Sequence, residues 1–414
     1  MTDRTGRELD VVLVGATGFV GRLTARQLAE HSPSGLRIGL AGRSAERLEE
    51  TRSALPPSAR SWPMITVDVL DEGDAAALAS RTKVVASTVG PYLRYGLPLV
   101  RACAASGTHY ADLTGETVFV RRSIDAAHEI ARASGARIVH SCGFDSIPSD
   151  LGVGLTAERA AQENAGELTS TVLHVQRLRA GISGGTIDSL RQQIIEAEHD
   201  PAVRRLTASR WALVDEPSGG RDGSSGPPHG HRPIERDDRT GSWQAPFVMG
   251  AYNRQIVYRS NFLLDWSYGR DFGYREVVDT GRGPRGALGA GALAVGTGAL
   301  MAGMTFAPTR SLLDRILPKP GEGPDERRRR HGAFRIAVDA ETTSGVRFRT
   351  TVGADLDPGY DGTAVMLAES ALTLAAGSDL GPAGVVTPMA ALGSRLPERL
   401  RDQGFMVTTE RLPA

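Results

Sequence analysis

The sequence has 414 residues, 40% of them hydrophobic, which is enough to bury the cores of two or three domains. Lysine plus arginine and aspartate plus glutamate both number 48, so the zero net charge argues against a nucleic-acid partner. The two cysteines, Cys103 and Cys142, have neither metal-ligand spacing nor the density of a secreted disulfide scaffold. Because no signal sequence precedes the first predicted strand, we expect a cytoplasmic protein.

An apolar stretch near the N-terminus breaks into glycines and then continues with helical periodicity. Residues 10–14 predict a buried strand, after which Gly15 permits a tight turn. Gly18 lets a pyrophosphate approach the backbone, and Gly21 brings the helix close to the sheet, while free N–H groups at the helix start attract the anion. The alternative is a glycine turn without a ligand. The predicted dinucleotide-binding residues are Gly15, Ala16, Thr17, Gly18, Phe19, Val20 and Gly21.

The end of the second predicted strand, residues 36–41, indicates which dinucleotide binds. An acidic residue at this point would bind the ribose 2′-hydroxyl, but the sequence has Arg43 and Ser44, and the first carboxylate is Glu46. Arg43 can bind a 2′-phosphate and Ser44 can hydrogen-bond it, so NADP(H) is favoured over NAD(H). The alternative for Arg43 is a solvated arginine at a helix start.

Residues after the third and fourth predicted strands extend the site. Asp68 ends the third strand, where a carboxylate commonly faces the adenine, although Asp68 or Asp71 could equally be a helix N-cap. The fourth strand ends in Gly90 and Pro91, which allow close approach and stiffen the turn. Tyr92 is therefore expected beside the nicotinamide or the substrate, either as proton donor or as pocket wall.

A second polar turn follows the last predicted strand of the N-terminal domain, residues 137–142. Asp145 and Ser146 in this turn are candidate catalytic residues that could line a pocket, and a helix-capping role is the alternative. Ser149 or Asp150 also suits a helix N-cap.

Motifs spread over this domain resemble, in order and spacing, those of the saccharopine dehydrogenase-like oxidoreductases. Within that family the chain is most similar to the mycobacterial trans-acting enoyl reductases, and the similarity extends over nearly the whole chain. The motifs that carry it are Gly15-Ala16-Thr17-Gly18-Phe19-Val20-Gly21, Ala41-Gly42-Arg43-Ser44, Val89-Gly90-Pro91-Tyr92, Tyr110-Ala111-Asp112-Leu113-Thr114-Gly115-Glu116 and Gly143-Phe144-Asp145-Ser146-Ile147-Pro148-Ser149-Asp150.

The resemblance implies an NADPH-dependent enoyl reductase that reduces a carbon–carbon double bond in a polyketide or lipid intermediate for phthiocerol-type cell-wall lipids. It implies an acyl or polyketide chain as substrate, delivered by a polyketide synthase carrier domain. Two alternatives are a catalytically idle NADP-binding scaffold for lipid synthesis and a dehydrogenase acting on an amino-acid substrate. Whether the protein forms a homodimer is left open.

The fold class we expect is α/β: a Rossmann-type doubly wound parallel sheet with a second α+β domain. The predicted domains are 1–150 for NADP binding, 151–380 for the substrate, and 381–414 for a C-terminal helix that packs back on the first domain. In the second domain, residues 335–341 and 346–352 predict a hairpin. Two pairs of residues are weak metal-ligand candidates. For Glu198 and His199 the plainer interpretation is the end of a surface helix, and for His229 and His231 it is a loop.

Residues 286–306 form an uncharged, Ala- and Gly-rich run long enough to span a bilayer. Its glycines weaken membrane insertion, so three interpretations are open. The run is a transmembrane span, a segment that touches the membrane or lines an acyl chain, or a buried or hinged segment. We expect Leu293 and Leu300 to contact a long acyl chain. Residues 327–330, close to this run, are four consecutive arginines. They either form a solvated face or contact anionic lipid or an acidic carrier protein.

Overall fold

The computed structural model describes residues 6–179, 184–215, 234–305, 308–310 and 323–413. They form two seven-stranded sheets, one of them entirely parallel and the other mixed. This arrangement confirms the predicted fold class.

The first sheet has the order β13-β6-β5-β4-β1-β2-β3, so strand order reverses between β1 and β4. Ligands of doubly wound folds bind at such a switch point, beyond the carboxyl ends of the strands. Apolar strands buried on both faces explain the near-continuous Val, Leu and Ile runs of the sequence. The strands are β1 (Leu9–Val14), β2 (Ile38–Gly42), β3 (Met64–Thr66), β4 (Thr82–Ser87), β5 (His109–Asp112), β6 (Arg137–Val139) and β13 (Gly384–Val386).

Six helices cover this sheet before the chain leaves it. Ser44 caps one of them by accepting a hydrogen bond from the Arg47 N–H at 3.3 Å. Asp71 rather than Asp68 caps another, with its carboxylate 2.9 Å from the Asp74 nitrogen. The helices are α1 (Phe19–His31), α2 (Ala45–Ser53), α3 (Glu72–Arg81), α4 (Tyr92–Tyr95), α5 (Leu97–Ser106) and α6 (Thr117–Ser134).

The second sheet has the order β14-β12-β11-β7-β10-β9-β8, and the predicted hairpin is its β11–β12 pair. Its strands are β7 (Leu168–Arg179), β8 (Glu235–Arg236), β9 (Ser242–Pro246), β10 (Gly273–Arg282), β11 (Ala333–Thr342), β12 (Arg347–Ala354) and β14 (Met406–Arg411). The remaining described helices are α7 (Ile147–Gln162), α8 (Gly184–His199), α9 (Pro201–Ala208), α10 (Gly250–Leu263), α11 (Gly283–Thr305), α12 (Glu326–Arg329), α13 (Thr363–Ala376), α14 (Pro388–Leu392) and α15 (Arg395–Asp402).

Helix α7 joins the two sheets. A Cβ atom on Gly152 would lie 2.7 Å from the Val338 side chain of β11, so the helix packs tightly on the second sheet. Asp150, within the first turn, is fully buried and accepts hydrogen bonds from the Ser260 hydroxyl and, at 2.8 Å, from the Met389 N–H. Asp150 therefore connects α10 and α14 instead of capping the helix, and burial raises the pKa of its carboxyl to about 7.

The C-terminal part contributes to both sheets, which differs from the predicted division at residues 150 and 380. Helix α13 packs on α1 and β4, and β13 pairs with β6 of the first sheet, whereas β14 pairs with β12 of the second. The C-terminal helix predicted within 381–414 is two helices, α14 and α15, because Gly393 interrupts it with a φ of 49°. The packing of this region against the first domain was expected, but the added parallel strand was not.

Helix α11 contains the predicted apolar segment up to Thr305, and Phe306 lies outside the described residues. It is long and apolar enough to cross a membrane. In the fold, however, it lies on the surface, and only 11% of its most apolar 18-residue stretch is buried. Gly286, Ala290 and Met304 are its buried residues among those described. The interpretation as a buried segment is therefore wrong for most of the helix.

The burial of Asp150 predicts a pH dependence of stability. Its pKa rises from an ordinary 3.8 to about 7, so the folded state binds a proton over this interval that the unfolded state has released. The free energy of unfolding should fall as pH rises through that window, by at most about 1.4 kcal/mol per pH unit from this group. Asp150→Asn should make the decrease smaller by the contribution of this group, leaving the part that other buried carboxyls such as Glu116 and Glu276 contribute, as measured by urea unfolding at several pH values.

The matched control is Asp355→Asn, because the Asp355 side chain is 91% exposed. This variant should keep the wild-type pH profile. An unchanged profile in Asp150→Asn would contradict the assignment.

Candidate functional site

A cavity of about 550 Å³ opens at the switch point between β1 and β4. Its floor comes from the strand ends of the first sheet, its roof from α8 and α9, and its far wall from α10, with Met301 of α11 at the side. Most of the lining is apolar, with a small number of hydroxyl, amide and carboxylate groups. Such a composition suits an elongated organic ligand with few polar points.

The glycine turn after β1 forms one end of the cavity. Gly15 has a φ of +83°, and a Cβ atom on Gly21 would lie 2.1 Å from the Gly15 carbonyl oxygen. The start of α1 therefore rests directly on the turn, as expected for Gly15 and Gly21. Gly18 occupies the N-cap position with a φ of −72°, and among the described residues no side chain caps the helix.

This turn fits the pyrophosphate of a dinucleotide. Residues 18–21 line the cavity, so the first backbone N–H groups of α1 face it. A Cβ atom on Gly18 would meet the Gly15 oxygen at 3.3 Å, a tight contact that a small shift can relieve, unlike the 2.1 Å contact at Gly21. Ala16 is buried beneath the turn, and the Thr17 carbonyl accepts a hydrogen bond from Arg22 at 2.8 Å. Gly15, Ala16 and Thr17 thus support the cradle whose surface is formed by residues 18–21.

The residues predicted to select the cofactor lie beside the glycine turn and outside the cavity lining. A Cβ atom on Gly42 would lie 3.9 Å from the Thr17 side chain, which puts the adjacent, exposed Arg43 next to the turn. The Ser44 hydroxyl both caps α2 and remains partly exposed. Asp68 is exposed, and its carboxylate accepts a hydrogen bond from the Leu70 N–H at 3.1 Å. An adenine contact for Asp68 stays a prediction.

The turn Gly90-Pro91-Tyr92 lines the cavity as expected, but the Tyr92 phenol is engaged within the protein. Its hydroxyl donates to the Ser87 carbonyl at 2.9 Å and accepts from the Leu113 N–H at 3.2 Å. The ring stacks on Phe119, and Tyr92 is 4% exposed. This geometry does not support Tyr92 as the proton donor, because its single proton is already committed to a backbone carbonyl. It supports the alternative, a pocket wall.

Glu116 holds this turn in place. One carboxylate oxygen accepts from the Tyr92 N–H at 3.0 Å and from the Ser189 hydroxyl at 2.7 Å, and the other accepts from the Leu93 N–H at 2.7 Å. Because Ser189 belongs to α8, this carboxylate attaches the roof of the cavity to its floor. Burial raises the pKa of Glu116. Glu116 belongs to a motif of the resembled family, but its spacing in the sequence gives no sign of these contacts.

A pair of hydroxyl groups lies at the ends of β5 and β6. Ser141 Oγ is 2.6 Å from the Tyr252 hydroxyl, and both reach the Thr114 carbonyl oxygen, at 2.9 and 3.2 Å. Ser141 has a φ of +67°, a conformation that costs energy in a non-glycine residue and is concentrated at functional sites. All three residues line the cavity. Sequence reasoning missed Tyr252, because the glycine at the start of α10, Gly250, belongs to no motif that points to a site.

Asp145 and Ser146, predicted as pocket or cap, both line the cavity. Ser146 occupies the N-cap position of α7, but its hydroxyl donates to the Asn253 side chain at 2.9 Å. The Asn253 amide donates in turn to Glu276 at 3.0 Å. Burial raises the pKa of the Glu276 carboxyl, while the hydrogen bonds from Tyr274 and Asn253 act in the opposite direction. A catalytic role for Asp145 or Ser146 stays a prediction.

The residue of α11 that lines the cavity is not one of the two residues expected to contact an acyl chain. Met301 lines the cavity, whereas Leu293 and Leu300 are half-buried elsewhere on α11. The helical period places Met301, rather than its neighbours, on the side that faces α8 and the cavity.

Two of the metal-ligand candidates, Glu198 and His199, have other partners. Glu198 forms an ion pair with Arg310 at 2.8 Å, and His199 Nδ1 lies 2.7 Å from the Ile195 carbonyl oxygen. Within the described ranges no group of three or more His, Cys, Asp or Glu side chains is arranged to hold a metal. His229 and His231 lie outside these ranges.

Comparison with known proteins shows the family to which the chain belongs. Residues 11–139 match a family model described as the saccharopine dehydrogenase NADP binding domain. A Mycobacterium tuberculosis (strain ATCC 25618 / H37Rv) protein, provisionally named a trans-acting enoyl reductase, is 45% identical over 99% of each chain. The trans-acting enoyl reductase of Mycobacterium bovis (strain BCG / Pasteur 1173P2) is 42% identical over 98% of this chain and 99% of its own.

Among solved structures, apo saccharopine dehydrogenase (L-Glu forming) from Saccharomyces cerevisiae resembles the chain with a TM-score of 0.53. Identity is 13%, and the match covers 97% of this chain and 99% of that one, so it concerns the fold alone. Together these matches confirm the resemblance drawn from the motifs and the assignment of NADP(H) as cofactor.

The glycine turn generates a prediction that separates binding from folding. Gly18→Val should abolish NADPH binding with the fold intact, because its side chain enters the space of the pyrophosphate while the backbone φ is ordinary. Gly21→Val should instead destabilise the protein, because a Cβ atom there meets the Gly15 oxygen at 2.1 Å. Calorimetric titration with NADPH and thermal unfolding by circular dichroism measure the two effects. Normal NADPH binding by Gly18→Val would show that the cofactor cradle is elsewhere.

Proposed function

The chain belongs to the family of the trans-acting enoyl reductases and is an NADP(H)-dependent oxidoreductase, and from this premise we propose that it reduces an enoyl group in a long acyl or polyketide intermediate. The observation that carries the proposal is the single cavity formed by the dinucleotide cradle at one end and the apolar walls of α8, α10 and Met301 at the other. A cofactor and an acyl chain can meet in such a cavity without intervening water.

The lining favours an acyl chain over an amino-acid substrate. Arg204 is the one arginine among the described lining residues, and the carboxylates of Asp145 and Asp188 lie on the same cavity. A substrate with several carboxylates would need converging cations, as charge-assisted recognition requires. The apolar lining instead gains about 0.8 kcal/mol for each methylene group that it removes from water.

The protein's own chemical task is to supply a proton. NADPH, when bound, supplies the hydride that reduction of a carbon–carbon double bond requires. The proton must come from an acid in the cavity, and we assign this role to the Tyr252 hydroxyl in place of Tyr92. The Tyr252 hydroxyl also donates to a backbone carbonyl, that of Thr114, but at 3.2 Å this bond is longer than the 2.9 Å bond from Tyr92 to Ser87, and Ser141 Oγ donates to the same Thr114 oxygen at 2.9 Å. Ser141 Oγ lies 2.6 Å from the Tyr252 oxygen, so its proton can turn from the Thr114 carbonyl to the phenolate that proton transfer leaves behind.

The biological setting follows from the same resemblance and is also proposed. The acyl chain is a polyketide-type intermediate of phthiocerol-type cell-wall lipids, delivered by a polyketide synthase carrier domain, and the protein works in the cytoplasm with peripheral contact to lipid. The test of the activity is NADPH oxidation by the purified protein with a long-chain enoyl thioester, with the saturated thioester identified by mass spectrometry. A protein that binds NADPH tightly but reduces no enoyl thioester would be the idle scaffold instead.

Arg43 generates a prediction on cofactor choice. Arg43→Ala should weaken NADPH binding far more than NADH binding, by roughly 1.5 to 3 kcal/mol for the loss of a charge-assisted contact with the 2′-phosphate. Arg60→Ala is the matched control. Arg60 is also exposed, but it follows the short helical turn Pro57–Ala59 instead of the end of β2. Calorimetric titration of both cofactors decides the outcome. Equal affinity of the unmodified protein for NADPH and NADH would refute the idea.

Tyr252 generates a prediction on proton transfer. Tyr252→Phe should lower kcat for enoyl reduction by roughly 100-fold, the lower range for loss of a general acid, with little change in the Kd for NADPH. Tyr92→Phe removes a phenol that donates to the Ser87 carbonyl, so it should lower thermal stability more than kcat. Stopped-flow oxidation of NADPH and thermal unfolding distinguish the two variants. The reverse pattern would return the donor role to Tyr92.

A further inference from the structure

Helix α11 presents an uncharged, apolar surface to solvent. Residues 286–305 contain no Asp, Glu, Lys or Arg, and Leu288 and Val295 are 75% and 72% exposed. Leu288, Ala292, Val295, Ala299 and Ala302 are all exposed and follow spacings of four and three residues, so they share one face. Leu288 and Val295 are the two larger side chains of this row and the other three are alanines, and a continuous exposed apolar patch of this kind marks an interaction surface.

Both ends of the helix are fastened to the protein. At its start, a Cβ atom on Gly286 would lie 2.1 Å from the Gly281 carbonyl oxygen, and Thr280 Oγ1 donates to the Gly286 carbonyl at 2.8 Å. At its end, Met304 is buried and its carbonyl accepts from Arg310 Nε at 2.7 Å. Arg310 also pairs with Glu198 of α8. A helix held along the surface at both ends lies parallel to that surface and cannot stand across a bilayer.

The charges beside the helix indicate what covers the exposed face. Arg282 and Arg285 are exposed where the helix begins. A second copy of the same face offers these arginines no carboxylate, because residues 283–305 contain none. Lipid phosphates would pair with them, while the acyl boundary of a bilayer would receive Leu288 and Val295.

The same helix reaches the cavity. Met301 is 37% exposed and also lines the cavity, so one side chain touches both solvent and the space assigned to the substrate. An acyl chain that passes from a lipid layer around α11 would meet the apolar Met301 side chain at the edge of the cavity. This contact would lower the cost of exposing its methylene groups to water.

We propose that α11 docks the protein on an anionic lipid surface, lying in the headgroup region with Leu288 and Val295 inserted and Arg282 and Arg285 on lipid phosphates, and that the acyl substrate passes from this surface to the cavity beside Met301. The passage of substrate rests on the proposed function. The docking itself does not depend on the reductase activity, and it specifies the surface that makes the proposed contact with lipid.

The experiment is flotation of the full-length protein with vesicles of equal parts phosphatidylglycerol and phosphatidylcholine. The protein should float with these vesicles, less with pure phosphatidylcholine, and less at high salt, since added ions screen the arginines. Leu288→Asp with Val295→Asp should lower vesicle binding by at least about tenfold, because two inserted apolar side chains are lost. Ile130→Asp is the matched control, because Ile130 is 46% exposed on α6, and it should float like the unmodified protein.

Failure of the unmodified protein to float, or equal flotation of the double variant, would overturn the docking proposal. A dimer that the double variant converts to a monomer in sedimentation, without flotation of either, would assign the face to a second copy instead. Resistance to carbonate extraction would also overturn it, in favour of a spanning helix. Oxidation of NADPH with a short, water-soluble enoyl thioester should be the same in both proteins, so failure of docking and failure of the reductase function are measured separately.

Discussion

The close approach of helix α1 to the turn after β1 is the constraint on which the site depends. The Gly21 backbone lies so near the Gly15 carbonyl that a single Cβ atom would be 2.1 Å from its oxygen. This contact directs the first N–H groups of the helix at the cavity, where the positive end of the helix dipole and the unpaired donors favour an anion. Gly15 and Gly21 thus position the cofactor cradle, and the other walls of the cavity enclose the space for the substrate.

The second requirement is a rigid connection between the floor and the roof of the cavity. Glu116 supplies it, because one buried carboxylate accepts two backbone N–H groups of the turn at Tyr92 and the hydroxyl of Ser189 on α8. Gln193, one helical turn further along α8, donates to the Gly115 carbonyl at 3.0 Å and accepts from the Thr117 N–H at 2.8 Å. Removing the Glu116 carboxylate would leave the buried Tyr92 N–H without this acceptor, which is costlier than the net value of the bond itself.

The protein combines apolar walls with buried polar networks at the strand ends. The hydroxyls of Ser141 and Tyr252 share the Thr114 carbonyl, and Ser146 leads through Asn253 to Glu276. In a low-dielectric cavity such groups stay fixed, and each interacts more strongly than it would in water. The arrangement suits a reaction that needs one proton at one position and otherwise the exclusion of solvent.

Much of the first domain could be predicted from the sequence, because its signals are local. Alternation of buried strands with helices, the glycines at 15, 18 and 21, and Arg43 in place of an acidic residue each depend on residues close together in the chain. The same holds for the hairpin of β11 and β12, whose two alternating strands are joined by a short turn. These features determined the fold class, the cofactor and one end of the site.

The rest was decided by contacts between residues far apart in sequence. Tyr252 meets Ser141 across 111 positions, and β13 joins β6 although more than 240 residues separate them. The phenol of Tyr92, which the sequence placed correctly at the cavity, is engaged by Ser87 and Leu113, so its chemistry depended on partners that no local pattern reveals. The exposure of α11 is likewise a tertiary property, because an apolar run has the same sequence whether a core, a lipid layer or water surrounds it.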